Sequence, residues 1–249
     1  MIDDIVATRV EFPGWRGDEI PGYLARPSGD GSYPIVVVLH HRDGWDRESK
    51  EIARRFATEG YACILPHLHH RSAPGEAPEV AAKISWDAGG VPMEQLIGDV
   101  EGALAYLGAQ PFAAAKRGII GYCSGGRQSF LASTRIPFDA TVVCYGPKID
   151  TPPADLTDAN PVSPLSLAGD LVGPVLGLFG DDDRNPTPEA VGAVDAELTR
   201  LGKEHRFVSY PGAGHAFFAV NLPAYRWEAA MAGWAEVDGW FDRLLRDPR

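Results

Sequence analysis

The chain has 249 residues, 45% of them hydrophobic, and a formal net charge of −11. That length holds one large α/β domain or two small ones, with apolar residues enough for a sizeable core. An acidic surface repels phosphate backbones and anionic lipid, which argues against nucleic acid and membrane as partners.

No apolar run approaches the roughly 18 residues of a spanning helix. The opening stretch MIDDIVATRV carries two acids where a secretory leader has basic residues, so a cytoplasmic location is expected. The pattern then alternates. EIPGYLARP reads as a strand, and YPIVVVLHH as a strand buried on both faces because its apolar run does not alternate. DRESKEIARRFATEG reads as a helix with Ile52, Phe56 and Ala57 on one face and Gly60 as its stop. YACILPHL is the next strand. Residues 71–92, HRSAPGEAPEVAAKISWDAGGVP from His70 on, are long for a connection, and a lid or substrate loop is expected there. MEQLIGDVEGALAYLGAQ is helical, with Leu96, Ile97, Val100, Leu104 and Leu107 turned inward.

KRGIIGY is a strand running into a glycine loop, and FDATVVCYGP and GPVLGLFGD are two more. TPEAVGAVDAELTRLGK is a helix with Thr187 as its cap and Glu189 in its first turn. HRFVSYPGAGHAFF is a last strand and glycine loop. The closing helix buries a stripe of Trp234, Val237, Trp240, Phe241 and Leu244. Strand–helix alternation of this kind predicts a mostly parallel sheet with helices on both faces.

The three cysteines give no disulfide framework. Cys63 and Cys144 lie in apolar strands and read as buried, inert thiols. Cys123 differs. In Gly121-Tyr122-Cys123-Ser124-Gly125-Gly126 it stands between a strand and a helix. A sharp strand-to-helix turn exposes a nucleophile and places a backbone N–H beside it, and small residues two positions to either side prevent clashes. A thiol also needs activation by a base, oriented by an acid. In this topology the order is nucleophile, acid, histidine. His215 lies in the glycine loop after the last strand, and Asp181, Asp182 and Asp183 end the strand before it. Asp183 is taken as the orienting acid, the other two as solvated or capping charges.

With these pieces the sequence resembles the dienelactone hydrolase family of the α/β-hydrolase fold, over nearly its whole length. The motifs are G-x-C-x-G-G at Gly121–Gly126, G-x-x-D at Gly180–Asp183 and Ala213-Gly214-His215. The resemblance implies a single domain, 1–249, with a sheet of about eight strands. It implies a Cys123–His215–Asp183 triad that hydrolyses carboxylic esters or enol-lactones through a thioester. It also implies an oxyanion hole from the backbone N–H groups of Ser124 and Arg42. His41 stands where the family has a glutamate against the resting thiol. Arg71 matches the first of two arginines that hold the substrate carboxylate; Ala219 stands in place of the second. Arg71, His41, Phe217 and Phe218 are the expected substrate-binding residues, with a less acidic or more apolar substrate.

His40, His41, His67, His69 and His70 cluster at two strand ends. They read as a polar pocket wall, with a zinc site as the sharper alternative. No metal and no cofactor are expected. The expected partner is a small-molecule ester or lactone, and the expected state a monomer or small homo-oligomer. Alternatives are an acyltransferase or thioesterase on the same triad, and a non-catalytic binding protein of the same fold.

Overall fold

The computed structural model describes residues 4–246. Met1–Asp3, on which part of the leader argument falls, lie outside the described residues. Eight strands hydrogen-bond in the order β1-β2-β4-β3-β5-β6-β7-β8, and the chain divides into two compact units, the first formed by residues up to Gly118 with Thr157–Asn160, the second by the rest.

In the first unit, β1 (Ile5–Pro13) and β2 (Glu19–Pro27) pair antiparallel along their whole length. β2 then pairs antiparallel with β4 (Ala62–Pro66), and β4 runs parallel to β3 (Tyr33–Leu39) with Val36 opposite Cys63. The unbroken apolar run of β3 is explained by its burial: Val36, Val37, Val38 and Leu39 are all fully inside. α1 (Arg47–Thr58) starts on Asp46, whose carboxylate accepts the Ser49 N–H at 2.8 Å, and its buried face is Ala53, Phe56 and Ala57.

Residues 71–92 contain more order than a loop. They include α2 (Pro78–Asp87), which begins with proline in its first turn, where a missing N–H costs nothing. α3 (Met93–Gly108) buries Leu96, Val100, Leu104 and Leu107 as expected, while Ile97 is only half-buried. The same face carries a surprise. Asp99 is 0% exposed, and its carboxylate accepts from Arg71 Nη1 at 2.8 Å and from the Trp15 N–H at 2.9 Å. Arg71 also donates to Asp18 at 2.8 Å and to the Trp15 carbonyl at 3.2 Å. Burial pushes the Asp99 carboxyl up despite the Arg71 guanidinium beside it.

The second unit begins inside β5 (Ala113–Tyr122) and continues through α4 (Ser124–Ser133) and β6 (Ala140–Cys144). β7 (Val175–Gly180) lies parallel to β6 and to β8 (His205–Tyr210). α5 (Pro188–Arg200) carries the Thr187 cap, whose hydroxyl accepts the Ala190 N–H at 3.3 Å. Phe130, Val143, Phe179, Val194 and Leu198 share one core cluster. α6 (Trp227–Leu245) buries Trp234, Val237, Trp240 and Phe241, with Leu245 rather than Leu244 completing the stripe.

Candidate active site

Cys123, Asp183 and His215 all belong to the second unit, each just beyond the C-terminal end of a strand. This is where open parallel sheets present ligand-binding groups. Cys123 sits between β5 and α4 with φ 55° and ψ −121°, a conformation that L residues rarely adopt. The glycines make it attainable. A Cβ on Gly121 would run into the Gly125 carbonyl, and one on Gly126 would come within 2.7 Å of the Cys144 carbonyl and 2.9 Å of Gly146. The Cys123 N–H is anchored on the Cys144 carbonyl at 3.1 Å, and its own carbonyl accepts the Gly126 N–H at 2.9 Å. Ser124 opens α4, and helix geometry leaves its N–H without an intrahelical acceptor.

Of the three consecutive acids, only Asp183 turns inward. Its side chain is 1% exposed, whereas Asp181 and Asp182 face solvent. Their backbone N–H groups go to Tyr210 and Ala213, which ties the acid loop to the histidine loop. Asp183 Oδ1 accepts the Asn185 N–H at 2.8 Å, and Oδ2 meets His215 Nδ1 at 2.9 Å. The Cys123 thiol hydrogen-bonds the same ring. Burial works against a charged His215, but the bonds and charges of Asp183 and Cys123 outweigh it and raise the imidazole to about 10. Tyr145, which follows β6 with φ 39°, packs edge-on against that ring at 5.1 Å.

The expected substrate-binding residues have other engagements. Phe217 is fully buried and Phe218 nearly so; they stack on each other at 4.7 Å and pack on Tyr145, Tyr210 and Trp234. They form the wall behind His215 rather than an open lining, and buried Ala219 continues it. Arg71 is committed to Asp18 and Asp99, with its side chain 18% exposed, so its charge is neutralised inside the first unit. His41 Nε2 pairs with Asp46 at 2.9 Å. Burial opposes that charge, yet the Asp46 bond holds the His41 ring above its ordinary value, while Asp46 is lowered to about 2 by His41 and the Ser49 N–H against its own burial.

The other histidines are mostly core. Burial and neighbouring imidazoles take His67 down to about 3, and burial takes His69 to about 4. The His67 ring lies flat on Trp45 at 5.2 Å. Among the described residues, the group of three side chains close enough to share an ion is His41, Asp46 and Glu48; the buried rings of His40, His67 and His69 do not form one.

Cys63 and Cys144 are 0% exposed, and burial pushes both thiols well up. Cys123 is half-buried. Brief treatment of the native protein with iodoacetamide is therefore expected to add one label per chain, on Cys123, with full labelling of all three only after denaturation. Peptide mapping reads the positions; early labelling of Cys63 or Cys144 would contradict it.

Some site residues escaped sequence reasoning. Tyr145 and Asn185 bear on the His215–Asp183 pair, and their only signal was position, Tyr145 directly after β6 and Asn185 in the loop that follows β7. Trp86 of α2 donates its indole N–H to the Arg42 carbonyl at 3.0 Å, inside the segment read as a loop.

A mostly parallel sheet with a cysteine on a strained strand-to-helix turn, and with acid and histidine on later strand ends, defines the α/β-hydrolase class. Comparison with known proteins agrees. The model of the dienelactone hydrolase family matches residues 20–245, and the chain belongs to that family; it is a hydrolase acting on carboxylic esters. It is 33% identical over 229 residues to a Salmonella typhimurium protein named as a carboxymethylenebutenolidase, covering 91% of this chain and 83% of that one. It is 30% identical over 224 residues to a Bradyrhizobium protein named as a 2-oxo-3-(5-oxofuran-2-ylidene)propanoate lactonase, covering 89% of this chain and 88% of the other. A crystal structure from Klebsiella pneumoniae, described as a dienelactone hydrolase, superposes with a TM-score of 0.87 at 29% identity over 97% of this chain and 100% of its own. No helix among the described residues is long and apolar enough to cross a membrane.

Proposed function

We propose that the chain hydrolyses lactones or small carboxylic esters through a thioester on Cys123. The observation that carries this reading is the relay in the second unit: Asp183 on His215 Nδ1, and the Cys123 thiol on the same ring, at a turn only glycine neighbours permit. His215 accepts the thiol proton, and the sulfur attacks the acyl carbon. The negative charge moves to the carbonyl oxygen, where the Ser124 N–H at the start of α4 receives it. The intermediate collapses, the C–O bond breaks, and His215 returns the proton to the leaving oxygen. His215 then takes a proton from water, which attacks the thioester, and the second collapse releases the acid and restores the thiol. Asp183 holds the ring with Nδ1–H toward itself throughout. For a lactone, both products are the two ends of one opened chain.

The commitment of Arg71 to Asp18 and Asp99 favours an acyl group with little charge beside the reacting carbonyl. Names of relatives point to unsaturated five-membered lactones. The test is steady-state hydrolysis of p-nitrophenyl acetate, a neutral enol-lactone and an anionic dienelactone, with and without EDTA. Turnover of the first two, with higher kcat/KM for the neutral than for the anionic lactone and no loss in EDTA, is the expected result. An inert enzyme would sink the hydrolase reading, and a preference for the anionic lactone would sink the substrate assignment.

A further inference from the structure

In the first unit, β1 is the outermost strand of the sheet. Which of its backbone groups face outward follows from the prolines of β2. In an antiparallel pair, opposed residues alternate between those that exchange N–H···O bonds and those that do not. Ile5 and Glu11 stand opposite Pro27 and Pro21, which have no N–H to give. One step further along the same register, the Ser28 N–H donates to the Asp4 carbonyl at 3.0 Å. The bonds to β2 therefore fall on Asp4, Val6, Thr8, Val10 and Phe12. The N–H and C=O groups of Ala7, Arg9 and Glu11 point away from the sheet. The Thr8 hydroxyl reaches the Arg9 carbonyl at 3.2 Å, and that oxygen keeps a second lone pair. Ala7, Thr8, Arg9 and Glu11 are all exposed. A long, exposed edge of this kind is a template for another strand.

The order of charges along the edge selects the strand it fits, which is its own copy. Two β1 strands related by a two-fold axis pair antiparallel, with outward-facing residues opposite one another. The axis then falls on Thr8, Arg9 or Val10. On Arg9 it sets two guanidinium groups face to face. On Thr8 it sets Ala7 against Arg9 and Ile5 against Glu11, so no charge is matched. On Val10 it sets Arg9 against Glu11 of the second copy, twice over. The two Val10 side chains then meet on the axis, at a pair without N–H···O bonds, where side chains approach most closely. Arg9 and Glu11 are already in contact within the strand at 3.1 Å, with side chains 60% and 50% exposed. Pairing in this register joins the four groups in one network of alternating sign, which holds better than isolated surface pairs.

The net charge of −11 opposes self-association in general. At this edge the charges balance locally. Arg54 lies over Tyr23, the residue opposite Arg9 on β2, and is itself paired with Glu51.

We propose that β1 is the contact of a homodimer, two copies pairing antiparallel about Val10, with Arg9 and Glu11 fixing the register. This inference does not depend on the reaction at Cys123.

The test is sedimentation equilibrium of the full chain and of two charge reversals, with circular dichroism as the control for folding. Wild type is expected to have the mass of two chains at about 100 μM. Arg9→Glu and Glu11→Arg each set like charges across the strand pair, and each should weaken the dimer by about a hundredfold or more. An equimolar mixture of the two variants should recover the mass of two chains, because the reversals complement each other in the Val10 register and in neither alternative. The proposal is overturned if wild type is a single chain at that concentration, if either reversal alone leaves the dimer intact, or if folded variants stay single chains when mixed.

Discussion

Cys123→Ala and His215→Ala are each expected to lower kcat/KM for p-nitrophenyl acetate by at least about a thousandfold, and the double variant by little more. Residues that act as one unit lose their joint contribution when either is removed, and what survives comes from the oxyanion donors and binding alone. Asp183→Asn should cost about 10²–10⁴-fold, because an amide can present the wrong group to His215 Nδ1 and select the wrong tautomer. It should also let the ring lose its proton at lower pH, since Asp183 is among the groups that raise His215 to about 10. The sign of the linked stability follows. A pKa raised on folding gives stability that is complete below the ordinary imidazole value of 6.5 and is lost as pH climbs toward about 10. The Tm difference between wild type and Asp183→Asn should therefore narrow across that window. Thermal melts at pH 6 and pH 10 measure it; a difference that widens with pH would contradict the assignment of the shift to Asp183.

The second large effect is on stability. Arg71→Met leaves Asp99 wholly buried at the centre of α3 with its main cation gone. Breaking such a pair from one side costs about 3–5 kcal/mol, because an uncompensated charge stays behind. For a chain of this size that is a fall in Tm of roughly 6–20 °C. Replacing both partners, as Arg71→Met with Asp99→Leu, should be less damaging than Arg71→Met alone, since no charge is then stranded. If Arg71 served only to hold substrate, Arg71→Met would melt with wild type and raise KM instead.

The contrast between these two regions shows what was legible in the sequence. The cysteine turn could be read because close backbone approach leaves a local mark: glycine at 121, 125 and 126 between an apolar strand and a helix. Strand and helix order followed from apolar periodicity for the same reason. Asp99 left no local mark. It lies one residue from Val100 on a face defined by apolar spacing, and its partner Arg71 is 28 positions away. Choosing among Asp181, Asp182 and Asp183 needed the course of the backbone, which spends the first two N–H groups on the β8 side and turns only the third carboxylate inward. α2 was hidden by the prolines and glycines that bound it: Pro78 starts it, and Gly89 and Gly90, both at positive φ, end it. β1, whose pairing with β2 determines its course, was not read as a strand at all. The five clustered histidines suggested a ligand set by composition. For three of them the structure gives a separate engagement: a satisfied core ring at His40, a stacked ring at His67 and an ion-paired ring at His41, each explained by a neighbour distant in sequence or on another element.

In the proposed reaction the acyl group passes through Cys123. Enzyme mixed with p-nitrophenyl acetate and quenched in acid within its first turnovers should carry one acetyl group, found by mass spectrometry on the peptide that contains Cys123 and cleaved by hydroxylamine as a thioester is. Cys123→Ala should carry none and release no burst of p-nitrophenol. Turnover without an adduct on Cys123, or an acetyl group found on a hydroxyl while Cys123→Ala stays active, would rule out Cys123 as the nucleophile.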